Sequence, residues 1–193
     1  MSDREVKSIL FAGVGGQGIL RASDITCEVI MEAGFDVKKS EVHGMAQRGG
    51  CVTSHVRYGK KVYSPLAKTG SIQTLVSFEK MESLRYLQFL RKDAAIIVNT
   101  EEINPPAVNM GDDPYPEDII GFLKNHYGKV IGLNAAELAQ KAGNIKTANV
   151  VLLGALSNLM NIDKSVWQDV IKKSFPEKLV KMNLAAFQMG IDA

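Results

Sequence analysis

Cysteine is scarce in this chain of 193 residues: only Cys27 and Cys51 occur, and they form no C-x-x-C pair. An iron–sulfur cluster needs four thiolates, and a structural zinc site three or four clustered ligands, so this chain alone is expected to hold no metal. Charge of either sign is not in excess: 23 basic residues face 21 acidic ones, for a net +2. That balance excludes the polybasic field expected of a protein that binds nucleic acid or an anionic membrane. No apolar run approaches 18 residues; the run Val150–Leu156 stops at Ser157-Asn158. Met1 to Glu5 is charged and lacks the apolar core of a signal peptide, so a cytoplasmic protein is expected. Aromatic residues make up 7% of the chain, with the single tryptophan, Trp167, in the helical tail, where packing is its natural use. No Gly-Lys-Ser/Thr ending occurs, which excludes a phosphate loop of the nucleoside-triphosphatase kind.

What is present begins at the first strand. Ser8–Ala12 is apolar and runs into Gly13-Val14-Gly15-Gly16-Gln17-Gly18, followed by a helical pattern over 17–33. Glycines at such a junction permit a tight turn and leave helix N-terminal N–H groups uncovered, where the helix dipole favours an anion. The spacing Gly13-x-Gly15-x-x-Gly18 and its strand–turn–helix context fit the dinucleotide fingerprint. The alternative use is close strand–helix packing. Gln17 adds an amide that suits a polar ligand or a partner's backbone. A dinucleotide site also needs an acid at the end of the second strand. Asp36 begins that strand, Glu41 comes late, and Lys38 and Lys39 could favour a 2′-phosphate instead; none fits well.

The second unusual segment is Glu41-Val42-His43-Gly44-Met45-Ala46-Gln47-Arg48-Gly49-Gly50. Turns rarely gather His, Met, Gln and Arg in so short a span. Arg48 beside two glycines can offer a guanidinium fork to a carboxylate or phosphate. His43 is open to acid, base, donor or purely structural use. Met45 and Arg48 are also residue types favoured at interfaces. His55 and His126 are expected to be structural, and Cys27 and Cys51 to pack.

Along the chain, strands are predicted over 8–12, 35–42, 51–58, 73–78, 94–99 and 129–133, with a hairpin turning at Gly59-Lys60-Lys61 into Val62–Ser64. Helices are predicted over 79–90, 117–126, 135–142, 150–160, 164–174 and 176–189. The alternation predicts an α/β, doubly wound, mostly parallel sheet with an inserted β-hairpin, in a single domain over 1–193 that turns helical from about 149. Ligands of such sheets lie beyond the carboxyl ends of the strands. Gly13–Gly18, His43–Gly50 and Asn99–Glu102 all follow strand ends and should share one rim.

GVGGQGIL (Gly13–Leu20), EVHGMAQRGG (Glu41–Gly50) and NVVLLGAL (Asn149–Leu156) resemble the gamma subunit, or gamma domain, of 2-oxoacid:ferredoxin oxidoreductases. The second motif is most similar to the small (beta) subunits of the indolepyruvate branch, and the likeness spans about residues 6–190. The resemblance implies a Rossmann-like fold and the role of a non-cofactor-carrying subunit, inactive by itself. It implies a large (alpha) partner subunit carrying thiamine diphosphate, magnesium and 4Fe–4S clusters. The assembled enzyme would convert an arylpyruvate and coenzyme A (CoA) to aryl-acetyl-CoA, carbon dioxide and reduced ferredoxin. It also implies that Gly13, Gly15, Gly16, Gln17 and Gly18 hold an anion, such as a CoA phosphate, or meet the partner. His43, Gln47 and Arg48 would then complete a wall of the partner's pocket, with Arg48 on the substrate carboxylate or a CoA phosphate. The competing readings are a stand-alone NAD(P)-binding protein and a nucleotide-sensing scaffold.

Overall fold

The computed structural model describes residues 6–44, 50–111 and 114–193. In chain order the elements are β1 (Lys7–Val14), α1 (Ile19–Glu32), β2 (Asp36–His43), β3 (Cys51–Gly59), β4 (Ile72–Ser77), α2 (Glu82–Arg85), β5 (Leu90–Asn99), α3 (Pro106–Met110), α4 (Ile119–His126), β6 (Lys129–Leu133), α5 (Ala135–Ala142), α6 (Ala148–Ser157), α7 (Lys164–Ser174) and α8 (Glu177–Ile191). Short 3₁₀ turns at Leu87–Phe89 and Ile145–Thr147 precede β5 and α6. The six strands form one sheet in the order β2-β3-β1-β4-β5-β6. β3 runs antiparallel to both of its neighbours, while β1, β4, β5 and β6 pair in parallel.

Both faces of the central strands are buried, which is why they read as continuous apolar runs rather than as alternation. Along β1, Ile9 and Phe11 face the core that includes α1, α6, α7 and α8, whereas Leu10 and Ala12 face the smaller core with α4. α6 is buried around its whole circumference, from Asn149 to Ser157, as expected of a helix apolar on all sides. It packs on β5, α1, α5 and α8. Trp167 is fully buried and stacks on Phe187 with ring centroids 5.9 Å apart, the packing use expected from its place in the tail.

Three expectations are corrected. Val62–Ser64 is not a strand, and the inserted hairpin is instead β2–β3, joined through residues 44–50. The backbone groups that would have laddered are taken by side chains: Asp36 Oδ2 accepts the Val62 N–H at 2.8 Å, and Arg57 donates to the Ser64 and Leu66 carbonyls at 2.8 and 3.0 Å. The helix expected over 79–90 shrinks to α2 and a 3₁₀ turn. Glu79 Oε2 takes the Glu82 N–H at 2.8 Å, so the helix starts late, and the chain straightens early to bury Leu90 opposite Ile72. Cys51, expected to pack, is exposed at the start of β3.

Cys27 is half-buried on α1, and burial pushes its thiol up to about 12. The thiolate is the reactive form, so Cys27 stays unreactive at neutral pH. Alkylation of the folded chain with iodoacetamide at pH 7.5 is expected to modify Cys51 and spare Cys27. Peptide mass spectrometry checks this, and equal labelling of both would contradict the packing of α1.

Candidate functional site

The turn from β1 into α1 is held by its own sequence. Gln17 folds back so that its Oε1 accepts the Val14 N–H at 2.8 Å. Its Nε2 donates to the Phe78 carbonyl at 2.8 Å and to Glu101 Oε2 at 3.1 Å. Gly13 is required by close approach, because a Cβ there would lie 2.7 Å from both Gln17 Oε1 and Phe78 Cβ. Gly18 is required twice: its φ is +78°, and a Cβ would lie 2.8 Å from Asn149 Nδ2 at the start of α6. Gly15 donates its N–H to the Gly50 carbonyl at 2.9 Å, and Gly44 donates to Cys51 O at 2.8 Å. The two sequence motifs therefore meet, backbone to backbone, at one rim. His43 ends β2 opposite Val52. Met45, Gln47 and Arg48 lie outside the described residues.

The third rim segment completes the site. Asn99 ends β5 with 2% exposure, and its Nδ2 donates to the Phe78 carbonyl at 2.9 Å and to Glu101 Oε2 at 3.1 Å. Its Oδ1 accepts the Ala135 N–H at the head of α5 at 3.0 Å. Behind it, the buried Glu79 accepts from Tyr115 Oη at 2.6 Å and from the Ile103 N–H at 3.2 Å, which fixes the chain leaving β5.

These parts enclose a cleft of about 380 Å³ lined by Gly16, Gln17, Gly18, Asn99, Glu101 and Lys146, with Asn149 and apolar side chains completing it. No side chain caps α1 or α6, and α1 carries no acidic residue in its first turn, so the uncovered helix start expected from the glycines is present. Of the predicted glycine-turn residues, Gly16, Gln17 and Gly18 line the cleft, while Gly13 and Gly15 serve packing and the link to Gly50. Asn99 and Glu101 fall within a segment expected at the rim, but the bond from Gln17 to Glu101 spans 84 residues of sequence and leaves no local pattern. Lys146 carries no sequence signal of a site, whereas Asn149 opens the NVVLLGAL motif and lines the cleft from the first buried position of α6.

The arrangement departs from a dinucleotide site. β3 lies between β1 and β2, so the end of β2 is displaced by two strand spacings, about 10 Å, from the glycine turn. Asp36 sits at the opposite end of β2, where the Val62 N–H and Lys38 hold its carboxyl below the usual carboxylate range. Glu41 pairs with Lys39. Neither acid reaches a ribose bound at the turn. Among the described residues, no three His, Cys, Asp or Glu side chains gather as a metal site, and the only two cysteines of the chain lie on different elements, α1 and β3. That donor set does not fit an iron–sulfur cluster. No helix of the described residues is long and apolar enough to cross a membrane.

Fold and site together define an α/β domain with a glycine-turn cleft and a hairpin set beside it, distinct from the ordinary dehydrogenase arrangement. The pyruvate ferredoxin/flavodoxin oxidoreductase family matches residues 8–193, and the chain belongs to that family. It is 41% identical over 187 residues to the indolepyruvate oxidoreductase subunit IorB of Archaeoglobus fulgidus, covering 95% of this chain and 92% of that one. Among solved structures, the keto/oxoacid ferredoxin oxidoreductase gamma subunit of Geobacter sulfurreducens shares the fold, with a TM-score of 0.72, 24% identity and 96% of each chain covered. So does the 2-oxoglutarate:ferredoxin oxidoreductase of Magnetococcus marinus, solved with 2-oxoglutarate, coenzyme A and succinyl-CoA. There the TM-score is 0.76 at 22% identity, with 98% of this chain covering 31% of that one.

Proposed function

We propose that this chain is the small subunit of an indolepyruvate-type 2-oxoacid:ferredoxin oxidoreductase. The observation that carries the reading is the 41% identity to IorB over nearly the full length of both chains. The assembled enzyme oxidatively decarboxylates an arylpyruvate with CoA, giving aryl-acetyl-CoA and carbon dioxide and passing two electrons to ferredoxin. Thiamine diphosphate, magnesium and 4Fe–4S clusters reside in the larger partner subunit; bound there, they supply the carbanion sink and the electron path. A supply of only two cysteines, too few to ligate a cluster, supports that division of labour.

This chain contributes binding and enclosure. The uncovered start of α1 at Gly16–Gly18, with Lys146 lining the same cleft, receives an anionic part of CoA. His43, Gln47 and Arg48 complete a wall of the partner's pocket, with Arg48 on the substrate carboxylate or a CoA phosphate. An Arg48→Ala variant is expected to assemble normally and to raise the KM for arylpyruvate or CoA. Full turnover with unchanged KM values would remove Arg48 from this role.

The reading is tested by a tagged pull-down from native anaerobic lysate, with mass spectrometry and a visible spectrum of the eluate. A large thiamine-dependent partner and broad absorbance near about 400 nm, typical of iron–sulfur clusters, are expected. A colourless chain eluting alone, and binding a nicotinamide nucleotide on titration, would replace this reading with the stand-alone one.

A further inference from the structure

Glu101 presents a carboxylate whose orientation is already set. Its Oε2 accepts from Gln17 Nε2 and from Asn99 Nδ2, each at 3.1 Å. Both amides also donate to the Phe78 carbonyl, so all four of their N–H protons are committed. Their oxygens are taken too, by the Val14 and Ala135 N–H groups. No hydrogen bond falls on Glu101 Oε1 among the described residues, and the side chain is exposed at the cleft.

Gln17, Asn99 and Glu101 therefore offer an incoming group acceptors only. A phosphate placed there meets a like charge and finds no free donor. The rest of the lining differs: Gly16 and Gly18 lead into an uncapped helix start, and Lys146 adds a cation. The cleft thus combines an acceptor-only group with anion-favouring groups, and at about 380 Å³ it holds a segment of a large ligand rather than the whole.

We propose that Glu101 is a specificity-determining residue of this cleft: it accepts a hydrogen bond from a neutral amide N–H or hydroxyl of the ligand and disfavours phosphate beside it, leaving the anion to Gly16, Gly18 and Lys146, with Gln17 and Asn99 as its positioning residues. The inference rests on the reading that the cleft takes part of CoA. Within CoA the pantetheine arm, with two amide N–H groups and a hydroxyl, is the neutral donor-rich segment, and it belongs beside Glu101.

The test is calorimetric titration of the full chain with three probes: CoA, pantetheine 4′-phosphate and inorganic pyrophosphate. Wild type, Glu101→Ala and Glu101→Gln are compared, with the melting temperature of each variant recorded. Loss of a hydrogen bond to a charged acceptor predicts that Glu101→Ala weakens CoA and pantetheine 4′-phosphate about tenfold or more. Pyrophosphate is expected to bind both variants at least as tightly as wild type, because a repelling charge is gone. A purely structural role would move all three probes together and lower the melting temperature, and that result overturns the proposal. Unchanged binding of all three probes overturns it as well. Wild-type binding of pyrophosphate without pantetheine 4′-phosphate overturns the role of Glu101 while leaving an anion site. Binding of none of the three removes the CoA reading of the cleft, and the proposal with it.

Discussion

Gly154→Ala is expected to destabilise the chain by about 3 kcal/mol, the upper end for an overpacked core, and to lower the melting temperature by about 6–12 °C. The reason is the crossing of α6 and α8, where backbones touch. A Cβ on Gly154 would lie 2.1 Å from the Phe187 carbonyl oxygen and 2.8 Å from Gly190 Cα. A Cβ on Gly190 would lie 1.8 Å from the Val151 carbonyl oxygen. These neighbours are main chain, so no rotamer change relieves the contact, and the helices must separate. Separation opens the core around Leu153, Leu156 and Phe187, all fully buried. Gly128→Ala is the matched control, since a Cβ there meets nothing within 4 Å, and it is expected to leave the melting temperature within a degree or two. Equal melting temperatures for the Gly154→Ala variant and wild type would mean that α6 and α8 do not cross as described.

The second large effect belongs to Asn99. Its side chain joins the end of β4, the head of α5 and Glu101, and it is almost entirely buried. Asn99→Leu orphans the Ala135 N–H and removes one of the two donors to the Phe78 carbonyl, which keeps Gln17. An orphaned buried group costs about 1–3 kcal/mol, so a loss of about that size is expected, together with a collapse of CoA affinity. Asn99→Asp carries a distinctive pH signature. The new carboxylate keeps an acceptor for Ala135 but sets its other oxygen against Phe78 O and Glu101, both acceptors. Burial and the Glu101 charge raise its folded pKa above the unfolded value of about 3.9. A group with a raised folded pKa gives stability that is present below the unfolded value and lost as pH rises toward the folded one. Denaturant titrations between pH 4 and pH 8 should therefore show this variant losing ground to wild type as pH rises. A constant difference across that range would show that the carboxylate is not held against Glu101.

How much could be read from the chain depends on where each signal lies. β1 and the Ala94–Asn99 half of β5 are legible because strands buried on both faces leave uninterrupted apolar runs. α1, α7 and α8 are legible from apolar spacing along a face. The period-two pattern of Val52, Ser54, Val56 and Tyr58 identifies a strand but not its neighbours, so the insertion of β3 between β1 and β2 could not be read. That insertion carries most weight for function, because it moves the acids of β2 away from the glycine turn. Val62–Ser64 looked like a strand partner because the claims of Asp36 and Arg57 on its backbone are side-chain contacts invisible to periodicity. The glycine turn was legible as a motif. The cleft opposite it was not, since Asn149 reaches Gly18 across 131 residues of sequence, with Asn149 Nδ2 3.4 Å from the Gly18 carbonyl.

The most direct measurement of the central claim is turnover by reconstitution. The chain and its co-purified larger partner, separately and together, are assayed anaerobically for ferredoxin reduction driven by indolepyruvate and CoA. The account predicts reduction that requires both proteins and both substrates, with the chain alone inactive. Full activity of the partner without this chain, or nicotinamide-dependent activity of the chain by itself, would contradict it.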